Sequence, residues 1–324
     1  ARLGLPFDRW TGLAALLVSR GSHRGSDMTL PSSSNPAPTL SPTLQAALWM
    51  IGAILSFLSM AVAGRALASE LDTFEIMTWR SLTGAVIIVM IVTLRGLWGQ
   101  ITTRHFGLHL LRNAAHFTGQ NLWFFAITVI PLAQVFALEF TAPLWVLMLS
   151  PLFLGEKMSK RRVMAGITGF AGILIITRPG TQEITPGLIA AALCAIAFAG
   201  TIISTKLLTR DVPTIAILFW LTTMQAVFGL ICGGYDLDFV IPSPTLWPVA
   251  IIVGVAGLFA HFCLTSALSI APASVVSPMD FLRLPSAAVL GLLLYSEPLD
   301  PFVLIGAVII FGANYANIRG ERRA

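Results

Sequence analysis

The sequence predicts an all-α integral membrane protein with ten transmembrane helices, built as two inverted five-helix repeats with both termini in the cytoplasm. Three observations lead to this prediction: the scarcity of charge, the succession of apolar segments, and an internal repeat. Of the 324 residues, 56% are hydrophobic and 11% are charged, and the mean hydropathy is +0.83. In soluble domains about a quarter of the residues are charged, so this composition excludes a soluble globular fold.

The first 43 residues differ in composition from the rest of the chain and are predicted to form a flexible leader. Residues 29–42 (TLPSSSNPAPTLSP) are rich in Ser and Pro and too poor in apolar residues to build a core. The earlier stretch GLAALLV is shorter than the roughly 20 residues that a membrane span needs. It also lacks a convincing small-residue cleavage site, which argues against a signal peptide. Met28 is a candidate for the true start of the chain.

Ten apolar segments follow, separated by short joints that are charged or contain Pro and Gly. The predicted helices are residues 44–66, 74–94, 106–128, 131–154, 161–178, 186–207, 213–232, 246–269, 272–295 and 301–319. Two pairs of helices are separated only by Ile130-Pro131 and by Ala271-Pro272. Proline is tolerated at a helix start because its missing N–H would have no partner there. Both joints therefore predict tight helical hairpins.

Basic residues are distributed unevenly between the joints, which predicts the orientation of the helices. Cytoplasmic loops of membrane proteins carry an excess of Lys and Arg. If the N-terminus is cytoplasmic, 15 of the 20 basic residues lie inside, three lie within spans, and only Arg65 and Arg178 lie outside. The predicted outer joints instead carry acids, among them Glu70, Asp72 and Asp300. Ten spans then return the C-terminus to the cytoplasm.

The chain repeats itself at a fixed offset of 141 residues. The matched pairs are Pro131 with Pro272, Glu139-Phe140 with Asp280-Phe281, Glu156 with Glu297, and Arg178 with Arg319. This spacing predicts a tandem duplication, with repeats at 44–180 and 186–319 and a basic tail at 320–324. Because five helices is an odd number, the second unit enters the membrane from the opposite side. Inverted repeats are characteristic of transporters, whose substrate site lies near mid-membrane at the repeat interface.

The second half of each repeat resembles the end of an EamA domain, a unit of the drug/metabolite transporter superfamily. The first copy reads PLAQVFALEFTAPLWVLMLSPLFLGEKMSKRRVMAGITGFAGILIITRPG, and the second reads PASVVSPMDFLRLPSAAVLGLLLYSEPLDPFVLIGAVIIFGANYA. Each is a proline-led helix with a Pro inside it and a Glu closing it, followed by a joint and a Gly-containing helix. In addition, TFEIMTWRSLTGAVII is similar to a branch that includes S-adenosylmethionine uptake carriers.

This resemblance covers residues 44–319 and implies a ten-helix secondary carrier. It implies that helices one to four and six to nine surround a central cavity, while helices five and ten lie at the periphery. It is specific for the family but says little about the substrate.

Five ionised groups lie inside the predicted spans: Arg80, Arg112, Glu139, Asp280 and Arg283. Each costs about 2.5–3.5 kcal/mol to insert, so none is expected to face lipid. One interpretation is structural pairing, of Glu139 with Arg80 at a similar depth, and of Asp280 with Arg283 on one helical face. The other is a substrate or proton path, which intramembrane carboxylates usually mark. Glu139, alone in the apolar run FALEFTAPLW, is the stronger candidate for a functional role.

A polar stripe follows one face of the third predicted helix. Its members recur at spacings of three and four: His109, Arg112, Asn113, His116 and Gln120. The stripe extends over about 16 Å of helix and either lines a cavity or forms interhelical hydrogen bonds. His261 occupies the repeat position of Gln120, as a proton carrier or as a packing residue.

Aromatic residues and glycines offer further candidate contacts within the spans. Seven aromatics are candidate cavity walls or packing residues: Trp79, Trp123, Phe124, Phe125, Trp145, Phe219 and Trp220. Pro143 and Pro285 interrupt the fourth and ninth helices and free backbone carbonyls that need new partners. Glycines at 166, 169 and 172 predict a close helix contact, within one chain or at a homodimer face.

The sequence lacks the signatures of hydrolases, metalloenzymes and nucleotide-driven pumps. It contains no His-Glu-x-x-His, Gly-x-Ser-x-Gly or P-loop motif, and GGYDLD reads as a turn because no second motif of its kind is present. The three cysteines lie in apolar runs without metal-ligand spacing. We therefore predict no catalytic residue, no metal site, no cofactor and no nucleic-acid partner, and expect any transport to be driven by gradients.

The sequence thus predicts a secondary active transporter in a bacterial inner membrane that moves a small polar or amphipathic metabolite by alternating access. Three intramembrane arginines against two acids favour an amino-acid-like or carboxylate-bearing substrate, with proton coupling through Glu139 as an option. The predicted cavity-lining residues are Arg80, Arg112, His116, Gln120, Trp123, Glu139, Trp220, His261, Asp280 and Arg283. The alternatives are uptake or exchange of S-adenosylmethionine or a nucleoside-like metabolite, and a membrane-embedded enzyme or scaffold.

Overall fold

The computed structural model describes most of the chain after the predicted leader. The described residues are 41–155, 159–180, 183–235, 238–271, 276 and 279–321, without the side chains of 265, 268, 269 and 318–321. Nearly all of the predicted leader, including Met28, lies outside the described residues, as do 322–324 of the basic tail. Two partners in the repeat alignment, Glu156 and Pro272, also lie outside them.

The described residues form eleven α-helices and one short 3₁₀-helix at Trp98–Gln100. The α-helices are α1 Pro42–Leu67, α2 Thr73–Leu94, α3 Phe106–Val129, α4 Leu132–Glu139, α5 Ala142–Leu154, α6 Lys160–Thr177, α7 Pro186–Leu208, α8 Thr214–Gly233, α9 Trp247–Ile270, α10 Arg283–Tyr295 and α11 Pro301–Glu321. Eight predicted helices each coincide with one of these, with ends that differ by at most two residues. The fourth predicted helix is divided into α4 and α5, and the ninth is described only in part.

Six helical stretches of the described chain are long and apolar enough to cross a membrane. They are α1, α2, residues 132–154 (α4 with α5), α7, α8 and residues 247–264 of α9. The polar stripe lowers the hydropathy of α3, and α6 begins with Lys160, Arg161 and Arg162. The all-helical, multi-pass class is therefore confirmed, whereas the number of ten spans stays a prediction.

The break between α4 and α5 follows from Pro143, which is the second residue of α5. Proline has no N–H, so the helix ladder loses the bond that would reach back to the carbonyl of Glu139. Thr141 restarts the ladder by accepting from the N–H groups of Leu144 and Trp145 at 2.9 and 3.2 Å. The freed carbonyl of Phe140 accepts instead from a side-chain amide on α11 at 3.1 Å. The break therefore ends α4 at Glu139, and the carbonyl of Phe140 gains a side-chain partner there. The need for new partners at the carbonyls that Pro143 and Pro285 free directly stays a prediction.

The helix bounds follow the 141-residue offset of the internal repeat. Adding 141 to the bounds of α3 gives those of α9, and adding it to those of α5 gives those of α10. The main helix contacts also cross between the repeats: α1 packs on α9, α2 on α8, α3 on α7, α4 on α10, and α6 on α11. Exchanging the two repeats maps the α1–α9 contact onto the α3–α7 contact and maps the α2–α8 and α6–α11 contacts onto themselves, so these helices pack around an approximate two-fold axis.

The predicted glycine contact lies within the chain, between α6 and α11. A Cβ built on Gly172 would lie 2.8 Å from the carbonyl oxygen of Gly306, and one on Gly306 would lie 2.6 Å from that of Gly172. The two backbones therefore touch because both residues lack a side chain. Gly169 in turn leaves space for Leu144 of α5.

Replacing Gly172 by alanine is expected to lower the free energy of unfolding by about 1–3 kcal/mol, because overpacking forces the two helices apart. Gly312→Ala, on the partner helix α11, is the matched control, since its Cβ would meet nothing within 4 Å in the described part of the chain. Alanine there is expected to be neutral or slightly stabilising. Unfolding in detergent, followed by tryptophan fluorescence, measures both variants, and equal stabilities would contradict the close contact.

Candidate functional site

Arg283 lies at the junction of the two repeats and pairs with two carboxylates. Its Nη2 atom lies 3.1 Å from Glu139 Oε1 and 3.5 Å from Asp280 Oδ2. Glu139 is the last residue of α4, and Arg283 is the first residue of α10. Glu139 and Asp280 are repeat equivalents, so the ion pairs join the two equivalent breaks in the helices. Only 5% of Arg283 is exposed, as expected of a charge that must avoid lipid.

Aromatic rings surround the same guanidinium. Its carbon atom lies 4.5, 5.0 and 5.2 Å from the ring centroids of Phe57, Phe140 and Phe136. All three distances are within the range of cation–π attraction. We call Phe57, Phe136, Phe140, Glu139 and Asp280 the arginine cage.

Trp123 fixes one wall of the arginine cage. Its indole N–H donates to Glu139 Oε2 at 2.9 Å, and its ring contacts Phe136 edge-on at 5.9 Å. Trp123 is almost fully buried. One oxygen of Glu139 is therefore held within the first repeat, while the other pairs with an arginine of the second.

The predicted pair of Glu139 and Arg80 is wrong. Arg80 instead points to Gln225 on α8, with its Nη1 atom 3.5 Å from the amide oxygen. Its Nε atom is buried without a hydrogen-bond partner among the described residues. Arg80 and His261 line a narrow cavity between α2, α8 and α9.

Two histidines, one from each repeat, lie next to the arginine cage. The rings of His116 and His261 have centroids 6.1 Å apart, and the ring of His261 meets Phe57 edge-on at 5.7 Å. Both ring nitrogens of His116 and the amide oxygen of Gln120 are buried without a hydrogen-bond partner in the described part of the molecule. Buried polar atoms of this kind call for water or a ligand. The histidines and the cage thus form one continuous cluster through Phe57.

The lower part of the polar stripe on α3 makes interhelical hydrogen bonds. Arg112 donates to the hydroxyl of Thr205 on α7 at 2.9 Å and to the amide oxygen of Asn113 at 3.1 Å. Asn113 in turn donates to the backbone carbonyl of Trp220 on α8 at 3.2 Å. Arg112 and Asn113 therefore hold α3, α7 and α8 together, whereas His109, His116 and Gln120 have buried side-chain atoms without a hydrogen-bond partner among the described residues.

Trp220 contacts the loop before α3 and the start of that helix, and its place in a cavity wall stays a prediction. Its indole N–H donates to the carbonyl of Thr102, in the loop before α3, at 2.8 Å, and its ring packs on Phe106. Trp79, its repeat equivalent, donates to the carbonyl of Val240 at 3.3 Å in the loop before α9. Each tryptophan thus donates a hydrogen bond to a loop of the opposite repeat.

Sequence reasoning missed the aromatic part of the arginine cage. Phe57 lies in α1, where apolar residues occur on every face, so no pattern distinguishes it from a packing residue. Phe136 and Phe140 were visible only as the apolar surroundings of Glu139. The match of Phe140 to Phe281 in the repeat was a usable signal, and the two rings lie 5.5 Å apart in the structure.

Comparison with known proteins connects this arrangement to transport. The profile of the EamA-like transporter family matches residues 44–178 and again residues 185–318. Over 241 residues, the chain is 32% identical to a riboflavin transporter of Brucella anthropi, a match that covers 73% of this chain and 85% of the relative. Over 277 residues, it is 28% identical to an S-adenosylmethionine uptake transporter of Rickettsia felis, covering 85% and 93% of the two chains.

A solved crystal structure shares the fold, with a TM-score of 0.59 and 20% identity over 86% of this chain and 98% of the other. The matches point away from an enzyme, in agreement with the missing catalytic motifs. With two copies of the family's domain, the chain belongs to the EamA-like transporter family and is a multi-pass small-molecule transporter of the bacterial inner membrane.

Proposed function

We propose that the protein is a secondary active transporter for an amino-acid-like metabolite that carries a planar heterocycle, with S-adenosylmethionine or a related nucleoside-like compound as the leading candidate. The observation that carries this proposal is the buried cluster of charges and aromatic rings at the repeat interface, centred on Arg283. Inverted-repeat carriers bind their substrates at this place, between the halves that rock against each other.

The chemistry of the cluster supports a substrate of mixed character. Flat aromatic faces suit a planar heterocycle, and Glu139 and Asp280 suit a cationic group. The unpaired atoms of His116 and Gln120 suit hydrogen-bonding groups of a sugar or a base. A purely apolar substrate would leave these polar atoms without partners, which is costly in a buried site.

We further propose the ten-span inverted topology with both termini in the cytoplasm. The contacts between helix ends support it. At one end of the bundle, Arg65 at the close of α1 meets Glu297 after α10 and the carbonyl of Ile130 in the α3–α4 joint. At the other end, Trp220 near the start of α8 reaches Thr102 before α3. The ten-span topology places the contact of Arg65 with Glu297 and Ile130 on the outer side. It places the contact of Trp220 with Thr102 on the inner side.

Cysteine labelling tests this orientation. In a background lacking Cys194, Cys232 and Cys263, Tyr235→Cys should react with a membrane-impermeant maleimide in intact cells. Tyr235 is 76% exposed in the loop that is predicted to lie outside. Arg104→Cys, before α3, should react only after the membrane is permeabilised. The opposite pattern would overturn the proposed orientation.

Counterflow in proteoliposomes tests the proposed transport. Vesicles loaded with unlabelled S-adenosylmethionine should accumulate the labelled compound, and vesicles with Arg283→Ala protein should not, because the repeat interface loses its central charge. Leu293→Ala, whose side chain is 71% exposed on the surface of α10, is the matched control and should exchange normally. If the protein exchanges none of a panel of amino acids, nucleosides and flavins, the proposal is wrong.

Riboflavin is a second candidate substrate. The riboflavin transporter of Brucella anthropi is 32% identical to this chain, and the ring system of riboflavin also suits aromatic walls. The same counterflow panel separates the candidates. A hydrolysed product without exchange would instead favour a membrane-embedded enzyme.

A further inference from the structure

We propose that the arginine cage is a binding site for a methylated onium group of the substrate, and that the guanidinium of Arg283 occupies this site until the substrate displaces it. The proposal rests on the transport function proposed above and deepens it, because it assigns one substrate group to one set of side chains. A sulfonium and a quaternary ammonium are both onium groups of the required size and charge.

The cage has the composition that recognises such a cation. Aromatic faces attract a weakly hydrated cation through their quadrupole, and this is how proteins bind quaternary ammonium groups. Here three rings and two carboxylates converge on one position, which the guanidinium marks. Two carboxyl groups, Glu139 and Asp280, face the single guanidinium of Arg283. Both become available to another cation when the arginine leaves.

The guanidinium makes single contacts, not forked ones, with its two carboxylates. Both ion pairs use the same atom, Nη2, so neither carboxylate makes the two-bond fork that gives arginine pairs their strength. The Nε atom of Arg283 and the Oδ1 atom of Asp280 are buried without hydrogen-bond partners in the portion that the structure describes. In contrast, Glu139 is anchored by Trp123 and stays in place when the arginine leaves. The arrangement thus favours exchange of one cation for another.

A comparison of S-adenosylmethionine with S-adenosylhomocysteine tests the cage. The two compounds differ by a methyl group and the positive charge that it gives the sulfur. Wild-type protein should bind the sulfonium compound more tightly, and Phe57→Leu should weaken its binding about tenfold while changing that of the thioether less than about twofold, since the leucine lacks a π face. Phe170→Leu, 47% exposed on α6, should change neither affinity. Equal weakening of both compounds by Phe57→Leu would overturn the proposal.

Binding of tetramethylammonium tests whether Arg283 competes with a cation for the arginine cage. This ion has a methylated cationic centre and no other group that the protein could recognise. Arg283→Gln should bind it at least about fivefold more tightly than wild type, because the tethered competitor is gone and the carboxylates remain. The shift in melting temperature with tetramethylammonium concentration, compared with that in matched NaCl, gives the affinity. Unchanged or weaker binding would show that Arg283 does not occupy a cation site.

Failure of the cage and failure of the transport proposal give different results. If S-adenosylmethionine shows counterflow but Phe57→Leu weakens the binding of both compounds equally, the proposed cation site is wrong and the transport proposal stands. Tighter tetramethylammonium binding by Arg283→Gln without counterflow of any panel compound supports the cage and removes the transport proposal.

Discussion

Glu139→Gln is expected to abolish proton-driven accumulation of substrate while counterflow exchange continues. Glutamine keeps the size of the side chain and can still accept from Trp123, whose indole N–H lies 2.9 Å from Glu139. It cannot take up or release a proton. Coupled accumulation requires proton transfer in each cycle, whereas exchange of labelled for unlabelled substrate requires none. Uptake into proteoliposomes under an imposed pH gradient, beside counterflow in the same vesicles, measures the two activities separately.

The fold is expected to survive this substitution, because Arg283 keeps Asp280 as a partner at 3.5 Å. Breaking a buried pair costs about 3–5 kcal/mol only when a charge is left uncompensated. Asp211→Asn is the control for loss of a carboxylate outside the cluster: its side chain is 44% exposed before α8, and the variant is expected to keep coupled uptake. Undiminished proton-driven uptake by Glu139→Gln would remove Glu139 from the coupling step.

The charged part of the site was predictable because charge within an apolar run is costly. Glu139, Asp280 and Arg283 stand out in the sequence for this reason, and the structure brings them together. The partner of Glu139 was predicted wrongly, since depth along a helix can be counted from sequence but rotation about its axis cannot. Arg80 was predicted to lie at a similar depth, yet it faces Gln225.

The repeat was predictable from matched residues, and it explains most of what the sequence could establish about the fold. The offset of 141 residues reproduces the bounds of α3 in α9, which no local propensity dictates. The roles of the tryptophans were not predictable in the same way. Trp123 and Trp220 look alike in sequence, but Trp123 contacts Glu139 and Trp220 fastens a loop. Tertiary contact alone separates the two roles.

One further ion pair joins the repeats, at the end of the bundle where α1 closes. Arg65 Nη1 lies 2.5 Å from Glu297 Oε1, and its other nitrogens donate to the carbonyls of Ile127 and Ile130. Glu297 Oε2 also accepts from the backbone N–H of Leu132 at 2.9 Å. This pair thus connects α1, the α3–α4 joint and the segment after α10. The side chains of Arg65 and Glu297 are only 13% and 14% exposed.

Arg65→Met is expected to lower the free energy of unfolding by about 3 kcal/mol, because Glu297 and the carbonyls of the α3–α4 joint lose their cation in a partly buried place. Methionine retains an apolar stem but loses the contact of the guanidinium carbon with the Tyr295 ring, 4.2 Å from its centroid, so the loss reports the charge, its hydrogen bonds and this cation–π contact. Glu297→Gln should cost less, since its amide oxygen still accepts from Leu132. In a double-mutant cycle measured by unfolding in detergent, the two substitutions should couple by more than about 1 kcal/mol. Additive effects would show that Arg65 stabilises the joint without Glu297. In that case the charged pair would not hold the repeats together at this end.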